Sequence, residues 1–315
     1  MECSHDGVNV FGTVIASVVS GVVVLLAVPV FVAGLTVLYI DVAHGGRIFT
    51  GRGGPVLWQH AVWLYGRPEV YGALLVPALG AVIDIVHPGL HEEERPEGRG
   101  GAALLTLAGV LSFTVWAAKA SGRGAAVVPT FTPVAVLALV PAGLVVLYLV
   151  GGLRTLRPRP TGAVALCVGF ALLLGLEALS AIVGAALHVH AGTEWGSAHP
   201  HYALFLAPLF ALFAACFHWG PELFGRRLSQ GLGHLQNLLL LAGVLLAFVP
   251  LSTGLRNQPR LAGDYVAHSG WTALNRVATI GAFVLALALV VFAAAVARSH
   301  RADAGDVRAT DEVTG

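Results

Sequence analysis

Eight stretches of this chain are apolar over lengths that reach across a bilayer, at 12–42, 56–87, 101–121, 126–152, 160–188, 198–224, 232–255 and 269–298. A helix rises about 1.5 Å per residue, so about 20 apolar residues cross the hydrocarbon core. The backbone must satisfy its own N–H and C=O groups there, and a helix does so within one segment. The pattern predicts an all-α fold, a polytopic membrane helix bundle of about eight transmembrane helices. Composition agrees: 57% of residues are hydrophobic and 11% charged, whereas soluble domains carry about twice that charged fraction. The partner implied is the lipid bilayer. A net charge of +1 without a basic patch excludes nucleic acid.

The first apolar run is about 30 residues long and lacks a basic start, which reads as a true span rather than a signal peptide. The organisation is then an N-terminal tail over 1–11, a transmembrane bundle over 12–298 and a disordered cytoplasmic tail over 299–315. Connectors are short and rich in Gly, Pro and Arg, "HPGLHEEERPEGRGG" being the most polar. There is no internal repeat and no separate soluble domain. Cys3, Cys167 and Cys216 are too widely spaced for a disulfide framework or a zinc pattern. With the N-terminus inside, ten connector and tail arginines lie inside and five outside. The excess of cytoplasmic positive charge puts both termini on the cytoplasmic side.

Within "VLWQHAVWLYGRPEVYGALLVPALGAVIDIV", Arg67 and Glu69 flank Pro68 in the middle of a span. Ionisable residues inside membrane helices face a protein interior or a polar cavity and are functional candidates. Arg67 and Tyr71 are four apart and share a helix face, while Glu69 points away from both. A structural salt bridge pinning the bundle accounts for the charges equally simply. Lys119, at the end of the third span, can snorkel outward. His199 and His201 in "AHPHYALF" project about 200° apart on a helix. They cannot easily chelate one metal but can serve two centres on opposite flanks. Interfacial histidines meeting water or carbonyls are the alternative. Pro200 between them fits only a first helical turn, near the outer membrane surface.

Read in order, these segments resemble subunit I of the haem–copper oxidases, the cytochrome c oxidase type. "WQHAVWLYGRPEVY" keeps that family's G-H-P-E-V-Y run except for the histidine. "FTVWAAKAS" is similar to its "VWAHHMF" segment, and "AHPHYALF…HWGPELFG" to "AHFHYVL…HWFPL". "GLRNQPRLAGDY…SGW" is similar to "GMPRRYxDYP…GWN". The likeness covers essentially the whole chain and implies family helices five to twelve, the first four being absent.

That resemblance implies the following roles. His199 matches the axial ligand of the oxygen-binding haem and His201 a ligand of the electron-transferring haem, so one helix serves two porphyrins. Glu69 and Tyr71 match the proton-transfer glutamate and the active-site tyrosine. Arg260 matches one of two arginines meeting haem propionates, the other being Leu261. His60 and Trp63 match residues lining the copper side. The three copper-ligating histidines are replaced by Arg67, Ala118 and Lys119. Guanidinium and ammonium offer no free lone pair at neutral pH, and a methyl group offers none at all, so no copper is expected. The lysine of one proton channel reads Val145, and the outer metal pair reads Ala191-Gly192, with His190 one residue out of register. The two cations either replace the field of a lost metal or result from drift after its loss.

Two readings follow. In the first, this is a divergent subunit of the aerobic respiratory chain in a bacterial plasma membrane, binding haem through His199 with its copper site lost. It is then unable to reduce dioxygen alone and works beside other membrane subunits, including a chain that supplies the missing helices. In the second it is a non-enzymatic scaffold or assembly partner without cofactor. A transporter is disfavoured, because neither an inverted repeat nor paired broken helices is visible.

Overall fold

The computed structural model describes residues 11–49, 71–87, 96–120, 143–144, 146–155, 158–186, 195, 201, 205–252, 258–259, 262–266 and 270–314. They form helices α1 (Phe11–Ala43), α2 (Val76–Val86) and α3 (Pro96–Ala120). Next come α4 (Val146–Thr155), α5 (Gly162–Ala186), α6 (Ala207–His218) and α7 (Gly220–Phe224). The last two are α8 (Gln230–Ser252) and α9 (Trp271–Thr314). Each of the eight apolar runs carries one of the helices α1–α6, α8 and α9. Four of these are long and apolar enough to cross a membrane and four are shorter apolar helices. The fold is the all-α membrane bundle that the sequence predicts. Helix α9 continues as backbone helix through 299–314, the stretch the composition reads as a tail.

The chain divides into two compact units, Met1–Gly152 and Leu153–Gly315. In the first, α1 packs along α2 and also against α3. Val23 meets Gly72, and Ala16 and Gly12 meet Gly80, so the two helices run antiparallel. Their backbones approach closely at Gly80, where a methyl group would sit 2.6 Å from the Gly12 carbonyl oxygen. Small residues at such crossings are how membrane helices gain packing energy without a hydrophobic driving force between them. The interior holds Ala16, Val23, Leu79, Val82, Ile83, Val86 and Leu105. Leu25, by contrast, is 73% exposed on α1, consistent with an apolar exterior that meets lipid.

A π-helical turn, Tyr71–Leu75, leads into α2, whose second residue is Pro77. The same pattern recurs at α6: residues 205 and 206 are π-helical and Pro208 follows. Proline has no N–H to give the carbonyl four residues back, and its ring crowds that carbonyl. Widening the preceding turn relieves the clash while the chain stays helical.

The start of α1 is capped from outside the helix. Asp84, fully buried near the end of α2, accepts hydrogen bonds from the Gly12 N–H (2.7 Å), the Thr13 N–H (2.8 Å) and the Thr13 hydroxyl (2.8 Å). At the far end of α1, Gly45 and Gly46 adopt positive φ and the Gly46 N–H returns to the Asp41 carbonyl at 2.7 Å. The buried Asp41 side chain also accepts from the Ile48 N–H at 2.5 Å and the Phe49 N–H at 3.0 Å. Both ends of this apolar helix are therefore closed by a carboxylate. The N-terminal one also meets the positive end of the helix dipole.

In the second unit, α9 lies along α8, while α5 packs against both α6 and α8. Phe170, Phe210, Leu166, Leu173, Leu240 and Val244 fill the interior. Phe292 of α9 meets Phe213 and Phe217 of α6 at ring separations of 4.7 and 6.1 Å. The outward face of α9 is apolar, with Phe283 73% exposed.

Candidate functional site

Of the residues singled out from the sequence, the structure describes the side chain of His201 and the backbone of Tyr71, Ala118 and Lys119. Arg67, Glu69, His199 and Arg260 lie outside the described residues, as do His60, Trp63, Val145, His190, Ala191, Gly192 and Leu261. Tyr71 opens the π-helical turn before α2. Ala118 and Lys119 fall in the last turn of α3.

The His201 imidazole is half-buried and contacts two phenyl rings. Phe205, one turn along, is 5.4 Å away and tilted; Phe248 of α8 is stacked at 6.0 Å with 16° between planes. Among the described residues no three His, Cys, Asp or Glu side chains gather as a metal site.

Gln258, Tyr265 and Asn275 form one hydrogen-bond network. Gln258, 1% exposed, donates from its amide to the Tyr265 hydroxyl (2.9 Å) and to the Asn275 side-chain carbonyl (3.1 Å). Asn275, in the first turns of α9, donates to the same hydroxyl at 2.9 Å. The Tyr265 ring meets Trp271 edge-on at 5.4 Å. One phenol oxygen thus serves two amide donors, holding the loop to α9. Tyr265→Phe removes that acceptor and should destabilise the protein by about 1–2 kcal/mol, since buried donors lose their partner. Thermal melting of the detergent-solubilised variant checks this, and a melting point equal to the parent's counts against the network.

Sequence reasoning passed over three carboxylates in apolar surroundings: Asp84 in "VIDIV", Asp41 in "LYIDV" and Glu177 in "LGLEAL". An ionisable residue inside an apolar run is itself the signal that could have found them. The structure places Asp84 and Asp41 as helix caps. Gln236, fully buried in α8, has no hydrogen-bond partner for either end of its amide among the described residues.

The family described as Cytochrome C and Quinol oxidase polypeptide I matches residues 3–284. The chain belongs to this family. Among cytochrome c oxidase relatives, it is 32% identical over 280 residues to the "Probable cytochrome c oxidase subunit 1-beta" of Nocardia farcinica, covering 87% of this chain and 47% of that protein. It is 31% identical over 289 residues to the "Cytochrome c oxidase subunit 1" of Corynebacterium diphtheriae, covering 90% and 51%. The chain spans about half the length of the curated relatives it matches. This cytochrome c oxidase subunit I-like chain is an integral membrane protein, by family and by its apolar helices.

A haem is compatible with what surrounds His201. An imidazole nitrogen is a ligand type that haem iron takes, and Phe205 and Phe248 make the surroundings of this one aromatic.

Proposed function

We propose that this chain is a haem-binding membrane subunit of an aerobic respiratory chain, with its copper site lost. It keeps one iron ligand at His199 and a second at His201. The observation that carries this reading is His201, an imidazole in contact with Phe205 and Phe248 and two residues from His199. Each histidine would hold its own haem, because positions two apart on a helix project about 200° from one another. A bound haem would supply one-electron chemistry and bind small ligands. The protein's own contribution would be the two imidazole ligands, the aromatic surroundings of His201 and, through Arg260, a positive charge for the propionates.

The substitution pattern supports the loss of copper. Arg67, Ala118 and Lys119 stand at the three positions where the family resemblance puts histidines, and none of the three offers an imidazole lone pair. Reducing dioxygen to water without releasing partial products requires a second redox metal beside the iron. The chain therefore does not perform that reaction by itself and acts with other membrane subunits. Glu69 stands at the position of the family's proton-transfer glutamate and Tyr71 at that of its active-site tyrosine. The setting is a bacterial plasma membrane with both termini cytoplasmic, as the arginine distribution supports.

The test is an optical spectrum and a metal analysis of the detergent-purified chain. A Soret band is expected, lost or strongly reduced in His199→Ala, with iron present and copper below stoichiometric. A colourless preparation would replace this reading with the cofactor-free scaffold. Stoichiometric copper would overturn the copper-loss reading.

A further inference from the structure

One end of the second unit gathers polar groups that the haem reading does not use. There α6 ends at His218, α7 covers the gap, and α5 and α8 begin at Gly162 and Gln230. A cleft of about 250 Å³ opens between these four helix ends. Its floor is apolar, from Ala163, Phe217 and Pro221, and its rim carries Thr161, His218, Glu222, Arg227 and Gln230. Glu222 and Arg227 are exposed and form no salt bridge or hydrogen bond among the described residues. Their neighbours, by contrast, are tied up. Gln230 accepts from the Gly162 N–H at 2.8 Å, His234 meets the Pro160 carbonyl at 3.1 Å, and Arg226 meets His300 at 2.5 Å.

The cleft has opposite polarity on its two sides. Helices α5 and α8 present their N-terminal, positive ends, while α6 presents its C-terminal, negative end. Arg227 adds a fixed positive charge and Glu222 a negative one. A cleft lined by both signs suits a zwitterion better than a simple anion. The cleft is open on one side and has room for a headgroup-sized polar group. Leu223, beside Glu222, is 62% exposed, so an apolar surface adjoins the rim where acyl chains would run.

We propose that this cleft binds the ammonium–phosphate zwitterion of a phosphoethanolamine group. The phosphate faces Arg227, whose guanidinium gives charge-assisted hydrogen bonds, and the Thr161 hydroxyl, which accepts from the Val164 N–H at 3.2 Å and keeps its own proton to donate. The ammonium faces Glu222 and the end of α6. Phosphatidylethanolamine headgroups and free phosphoethanolamine share this chemistry.

The experiment titrates the detergent-purified full chain with three probes: dihexanoyl phosphatidylethanolamine, dihexanoyl phosphatidylglycerol and free phosphoethanolamine, read by calorimetry. Saturable binding of the ethanolamine lipid is expected, with the glycerol lipid about tenfold weaker for want of the ammonium. Arg227→Ala should weaken the ethanolamine lipid by about tenfold or more, and Arg227→Lys should restore part of that loss. Glu222→Gln should remove most of the preference for ethanolamine over glycerol. Tighter binding of the lipid than of free phosphoethanolamine assigns the membrane as source; equal binding assigns the free metabolite; both uphold the site. Equal binding of the two lipids by the parent, or identical binding by parent and Arg227→Ala, overturns it. Both variants alter exposed side chains, and unchanged melting curves confirm that they fold.

Discussion

Asp84→Ala is expected to destabilise the protein by about 2–3 kcal/mol, the cost of leaving buried donors without their charged acceptor. The carboxylate is fully buried and receives two backbone N–H groups and a hydroxyl from the first residues of α1. An alanine leaves those donors facing a cavity in an apolar interior, where an unsatisfied donor carries its whole desolvation cost. It also removes a negative charge from the positive end of a 33-residue helix. Asp84→Asn should fall between, since the amide keeps one acceptor oxygen but turns an N–H₂ toward the other donors. Thr13→Val removes only the hydroxyl bond and should cost about 1 kcal/mol. The ordering Ala, then Asn, then Thr13→Val, read from denaturant or thermal unfolding in detergent, is the measurement. An Asp84→Ala protein that unfolds with the parent would show that the cap contributes nothing.

That contact also shows where sequence reading stops. The eight apolar runs are visible because span length follows from bilayer thickness, and a helix is present in each. Asp84 sits inside one such run, and its aspartate is a visible anomaly in "VIDIV". What it does is not visible, because Gly12 and Thr13 lie more than 70 residues earlier and nothing local pairs them. The π-helical turns are half-legible in the same way. Pro77 and Pro208 announce a disturbed helix, but whether it ends, kinks or widens depends on packing.

At the candidate site the balance is reversed. Residue types there are highly informative, since a histidine replaced by arginine or lysine changes the donor chemistry wherever the side chain points. Spacing alone predicts opposed flanks for His199 and His201, but it says nothing of the phenyl rings of Phe205 and Phe248 that His201 contacts. Phe248 comes from another helix, and periodicity within one segment cannot supply it. Likewise the family motif marks Arg260, whereas the Gln258–Tyr265–Asn275 network that holds its loop depends on a side chain in the next helix.

Helix α9 supplies the second large effect, with a sign opposite to helix propensity. Replacing a mid-helix glycine by alanine ordinarily stabilises a helix by about 1 kcal/mol, because glycine loses more backbone freedom on folding. Gly175 of α5 has no neighbour among the described residues within 4 Å of the space a methyl would take, so Gly175→Ala should follow that rule. Gly281 should not. A methyl there would lie 2.8 Å from both the Ala247 Cα and the Gly243 carbonyl oxygen, and closer still to the Ala247 nitrogen. These are backbone atoms, which no rotamer change can move aside. On the facing helix, a methyl at Gly243 would sit 2.9 Å from the Leu285 nitrogen, so neither helix can yield by a side-chain shift. The α8–α9 pair must separate, and it is the most extensive helix pairing in its unit. Gly281→Ala should therefore destabilise by about 1–3 kcal/mol, the usual range for overpacking, and Gly281→Leu by more. Melting both alanine variants in the same detergent compares them directly. Should Gly281→Ala stabilise as Gly175→Ala does, α8 and α9 do not approach at this crossing.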